Sequence, residues 1–148
     1  MSAKRLVLAI FLTAAVLNFG WEMAQMFAYM HATRMSVVAL LSCSLAAIGD
    51  AAYTVVLYCA GKVASANECW PLRLSAKSSL MILLAGFVTA VLIERLGIYA
   101  ALWRYADSMP VLPVLNVGVL PVLQLMILPF TVFWIVKRIS ARRLAVPR

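Results

Sequence analysis

Of the 148 residues, 66% come from the set Ala, Val, Ile, Leu, Met, Phe, Trp, Tyr and Cys and only 12% are charged, with a mean hydropathy of +1.00. Soluble domains average about 45–50% apolar residues, so a water-soluble globule is excluded. The net charge of +8 arises from 13 Lys and Arg against 5 Asp and Glu. These basic residues sit at the ends of apolar runs instead of forming a face, which argues against a nucleic-acid partner. Three cysteines without a CxxC pair and a single histidine, His31, leave no disulfide framework and no multi-histidine metal centre, and no cofactor is expected.

Crossing the hydrocarbon layer takes about 20 apolar residues in a helix, and four windows of that size are present, at 6–30, 36–59, 78–98 and 111–136. The expected fold class is all-α, a polytopic membrane protein folded as a single four-transmembrane-helix bundle. The first window follows Lys4 and Arg5 but is too long for the apolar region of a secretory signal, and so reads as a retained helix. Along it Asn18, Trp21, Glu22, Gln25 and Tyr29 recur at helical spacing and form one polar stripe that must face protein.

The second window carries small residues at Ala39, Cys43 and Ala47, then Asp50 and Tyr53 on one face. The third continues a small-residue row, Gly86 and Ala90, into Glu94. Such rows mark close helix contacts in membranes, so Glu94 is expected to point inward. In the fourth window stand Asn116, Pro121, Gln124 and Pro129. A proline in mid-helix leaves the carbonyl four residues earlier without its amide, so a kink is expected at Val117.

Ten of the thirteen basic residues flank the termini and the 60–77 connection, while Arg34, Arg95 and Arg104 remain for the other side. Under the positive-inside rule both termini are expected in the cytoplasm of a cell (inner) membrane, with Trp103 and Tyr105 in an outer aromatic belt and Trp70 and Trp134 in an inner one.

Three of the five acidic residues, Glu22, Asp50 and Glu94, fall inside these windows, where each costs on the order of 2.5–3.5 kcal/mol at mid-membrane unless it meets a partner or a wet cavity. The expected site is an acidic and polar cavity in the centre and outer half of the bundle. Two carboxyls in one apolar cavity rarely both ionise, so Glu22 and Glu94 are the candidate proton-handling pair. Asn18, Trp21, Gln25, Tyr29, Asp50, Tyr53, Arg95, Asn116 and Gln124 are candidate ligand-binding residues, with Arg95 either pairing with Glu22 or reaching the headgroups.

The expected partners are membrane lipids and a hydrophobic small molecule. An amphipathic lipid, isoprenoid or quinone-like molecule would be bound there and transformed if the proton pair is used. Two other functions are compatible with the same residues. One is an accessory or assembly subunit whose polar residues meet a membrane protein partner, and the other is a small proton-coupled transporter.

Overall fold

The computed structural model describes residues 3–29 and 36–145; His31 and Arg34 lie outside them. Four helices are long and apolar enough to span a membrane: α1 (Ala3–Gln25), α2 (Val37–Ser65), α3 (Ala76–Tyr99) and α4 (Val119–Ala145). A 3-10 turn, Met26–Ala28, extends α1, and another, Trp70–Leu72, lies between α2 and α3. The helix starts are set by short polar side chains. Ser36 Oγ accepts from the Ala39 amide, and Ser75 and Ser78 form a reciprocal capping box at α3.

Half of α4's apolar window is buried, against 17–22% for the other helices, so α4 is the central element and its neighbours keep most of their surface for acyl chains. α1 packs on α2 and α4, and α3 packs on α4, whereas α2 and α3 form no comparable interface. The end holding the termini is solidly apolar. Leu6, Ile10, Ala14, Ala51, Tyr58, Ile82, Val132, Phe133 and Val136 pack there around Trp70.

Trp70 belongs to this core, 8% exposed, and not to an interfacial belt. Its indole lies where a Cβ on Gly61 would stand, donates to the Tyr58 carbonyl at 2.9 Å and meets Phe133 edge-on. Tyr58 in turn donates to the Glu68 carbonyl at 3.1 Å, and Lys62 pairs with Glu68 at 2.5 Å. The α2–α3 connection therefore closes this end as a plug.

At the opposite end the fourth apolar window is not one helix. Residues 111–118 form a small antiparallel hairpin, β1 (Val111–Leu112) with β2 (Val117–Gly118), and α4 starts only at Val119. Asn116 occupies the left-handed region, φ 50°, a conformation that Asn tolerates better than most residues. Pro121 stands in the first turn of α4, where an amide would have no helical partner, so no kink at Val117 arises.

Pro129 is the proline inside α4, and it can give no N–H to the carbonyl of Leu125. That carbonyl is the atom a Cβ on Gly86 would strike first. Glycine at 86 thus lets α3 lie directly on the backbone of α4, at the carbonyl from which Pro129 withholds the usual amide. Gly86→Ala is expected to destabilise the bundle by about 1–3 kcal/mol, read by circular dichroism during reversible unfolding with SDS in mixed micelles. An unchanged midpoint would mean that α3 does not need this approach.

Candidate functional site

The polar side chains of the helices meet above the apolar core, and their centre is Gln124, 2% exposed. Its carboxamide nitrogen lies 3.0 Å from Asn18 Oδ1, 2.9 Å from Glu22 Oε1 and 2.7 Å from Asp50 Oδ2. Its oxygen accepts from Gln25 Nε2 at 3.0 Å, and Gln25 Nε2 also reaches Glu22 Oε1 at 3.1 Å. Trp21 donates to Gln25 Oε1 at 3.1 Å, and the Asn18 amide is anchored on the Ala14 carbonyl at 2.9 Å.

Helical spacing explains how α1 delivers this set. Asn18, Glu22 and Gln25 lie three and four residues apart on one face, opposite the α4 turn that holds Gln124. A carboxamide has two N–H hydrogens, yet Gln124 faces three oxygens, two of them carboxylic. The cluster therefore contains more acceptors than its own donors serve.

A second polar centre is built around Glu94, 5% exposed. Its Oε2 accepts from the Tyr105 hydroxyl and, at 3.3 Å, from the Trp103 indole. The Trp103 ring occupies the space that a Cβ on Gly97 would fill, one helical turn beyond Glu94. Tyr105 accepts from the Gly118 amide at 2.8 Å and lies against Tyr29, ring centroids 5.8 Å apart. The Ala106 amide donates to the Ala28 carbonyl at 3.0 Å and Ser108 to the Phe27 carbonyl at 3.2 Å. The α3–α4 connection is thereby folded back over the bundle and tied to both α1 and Glu94.

Between the two centres lies a cavity of about 840 Å³, in the gap where α2 and α3 do not pack. Glu22, Asp50, Glu94, Gln25, Gln124, Tyr29 and Tyr53 all line it. Its apolar wall includes Val38, Leu45, Ile93 and Leu102, each of which is also exposed on the outside of the bundle. The cavity thus has a polar floor on α1 and α4 and a lateral mouth rimmed by aliphatic side chains. Tyr53 approaches Thr89 across the gap, but its buried hydroxyl has no partner within hydrogen-bonding distance.

Four candidate residues stand elsewhere. Asn18 and Trp21 support Gln124 and Gln25 from behind and do not face the cavity. Arg95 is exposed and donates to the Leu115 carbonyl at 3.2 Å, so it neither pairs with Glu22 nor enters the cavity. Asn116 serves the hairpin turn. Trp103 and Tyr105, expected in an outer aromatic belt, both bond to Glu94, a role that their aromatic character beside a carboxylate-bearing helix did not reveal. Among the described residues no group of three or more His, Cys, Asp and Glu could hold a metal ion.

Comparison of the chain with protein-family models, with curated proteins and with solved structures finds no match.

Replacing Gln124 by Leu removes up to three interhelical hydrogen bonds, two donated and one accepted. At about 0.6 kcal/mol each in a membrane bundle, the expected loss is about 2 kcal/mol in the same SDS titration. A loss well under 1 kcal/mol would show that the carboxamide holds nothing together. Tyr105 lies outside the spanning helices, and burial, reinforced by its hydrogen bond to Glu94, pushes its phenol above the ordinary value. Because the folded phenol resists ionisation while the unfolded one ionises near pH 10, its contribution is fully present below about pH 10 and falls as pH rises further. Phenolate absorbance of wild type and Tyr105→Phe should superimpose from about pH 9 to 12. Loss of one tyrosine's amplitude in the variant would refute the shielding.

Proposed function

We propose that this chain is a multi-pass protein of the cell (inner) membrane that binds one amphipathic lipid-class molecule, such as an isoprenoid, entering sideways between α2 and α3. The observation that carries this reading is the lateral cavity itself. A space of about 840 Å³ falls within the roughly 300–1,000 Å³ typical of small-molecule sites. It joins an aliphatic mouth to a floor of carboxyl and carboxamide groups, matching a molecule with a long apolar body and a polar end. An enclosed helix-locking network would leave no such space.

The distribution of basic residues supports a cytoplasmic location for both termini, since Lys62, Arg73, Lys77, Lys137 and Arg138 all belong to the end that carries them. The cavity then opens into the outer half of the bilayer. Glu22 and Glu94 stand on its walls and are the groups able to exchange a proton with a bound molecule, Glu94 being held in place by Tyr105 and Trp103.

Native mass spectrometry of the protein released from lipid nanodiscs tests the reading. The expected spectrum holds the chain plus one small molecule of lipid mass, with occupancy reduced several-fold in Glu22→Gln and Glu94→Gln. A stoichiometric second protein with an empty cavity would instead support an accessory subunit and overturn the proposal.

A further inference from the structure

We infer, on the footing of the lipid-binding reading, that the polar end of the occupant is a protonated amine. The three carboxyls that line the cavity have no cationic partner among the described residues. Arg95 is turned outward onto the Leu115 carbonyl, Arg104 lines the cavity as an exposed residue without an ion pair to these carboxyls, and the one ion pair among the described residues, Lys62–Glu68, belongs to the other end of the bundle. Carboxyls in a membrane interior stay neutral unless a cation compensates them, and a protonated amine is the head that would let those lining this cavity ionise in place.

Hydrogen-bond accounting leads independently to the same head. Gln124 offers two N–H groups to three oxygens. Gln25 spends its own two on Glu22 and Gln124. Tyr105 and Trp103 both serve the same oxygen of Glu94, Oε2. Glu22 accepts only at Oε1 and Asp50 only at Oδ2 among the described residues, whereas Glu94 also draws on the Tyr29 hydroxyl.

Around Gln124 the described residues therefore leave one oxygen each of Glu22 and Asp50 open to a further donor. An ammonium group carries three N–H donors and no acceptor, and its bonds to carboxylates are charge-assisted. A carboxylate or phosphate head would add a like charge to the cluster, and the carbonyls of a quinone would add acceptors where donors are short. The alkyl portion leaves by the aliphatic rim of Val38, Leu45 and Ile93, so the amine is one attached to a long chain and drawn from the bilayer.

Three twelve-carbon probes that differ only at the head separate the possibilities: dodecylamine, dodecanol and dodecanoate, titrated calorimetrically into the full-length protein in phosphatidylcholine nanodiscs, with empty nanodiscs as the blank. Saturable one-to-one binding of dodecylamine at least tenfold tighter than of dodecanol, with no binding of dodecanoate, is expected. In the near-isosteric variants Glu22→Gln and Asp50→Asn, checked for native helicity by circular dichroism, that preference should fall at least fivefold. Equal affinity for amine and alcohol, or an amine preference unchanged in both variants, overturns the ammonium head while leaving a lipid cavity in place. If no probe binds the wild type, the lipid-cavity reading and this inference fall together; the wild-type arm does not depend on any variant folding.

Discussion

The hydrogen bonding of the Gln124 side chain is the constraint on which the rest of the bundle depends. One carboxamide on the central helix contacts Asn18, Glu22 and Gln25 of α1 and Asp50 of α2. Aliphatic packing between helices in lipid is only weakly specific, because acyl tails are as apolar as the side chains they replace. Polar contacts of defined direction therefore fix register. With Gln124 in place, α1, α2 and α4 can slide past one another only by stranding carboxyl groups in hydrocarbon, at a cost well above that of the bonds themselves.

Below that node the protein is a packed apolar solid; above it the protein is partly hollow. The difference comes from what joins α3 to the rest. On the termini side the Trp70 plug fills the space beside α2 and α4. Towards the opposite end α3 is held by α4, through the Gly86 contact with the Leu125 carbonyl, and by the folded-back connection that ends at Tyr105 and Trp103. Nothing of similar extent pulls α3 onto α2, and the gap between them is the cavity. A glycine that brings one helix pair together and a missing interface in the next are thus two aspects of the same arrangement.

Function, in this reading, uses the polar groups that stability left unsatisfied. Those that lock the bundle, Asn18, Trp21 and part of Gln25, stand behind the wall. Glu22, Asp50 and Glu94 face the void, the first two each bonded through one carboxyl oxygen only. A buried network with every group satisfied would make a rigid core, whereas one short of donors is completed only by something that brings them.

Hydropathy and periodicity alone determined that four helices of spanning length occur, that α1 carries a polar stripe from Asn18 to Gln25, and that Gly86, Ala90 and Glu94 share one face, because these properties belong to single helices and repeat every three or four residues. They could not separate the 111–118 hairpin from the α4 that follows, since a turn rich in Val, Leu and Pro is as apolar as a membrane helix, and so they read Asn116 as part of the fourth span and Pro121 as a proline within its helix. Nor could they show that Arg95 turns to a loop carbonyl, that Trp103 and Tyr105 reach back to Glu94, or that Gln124 stands where α1, α2 and α4 meet. Those facts depend on contacts between residues up to about a hundred positions apart, which no local pattern encodes, and they were decided only when the α3–α4 connection folded over the end of the bundle and left α2 and α3 apart.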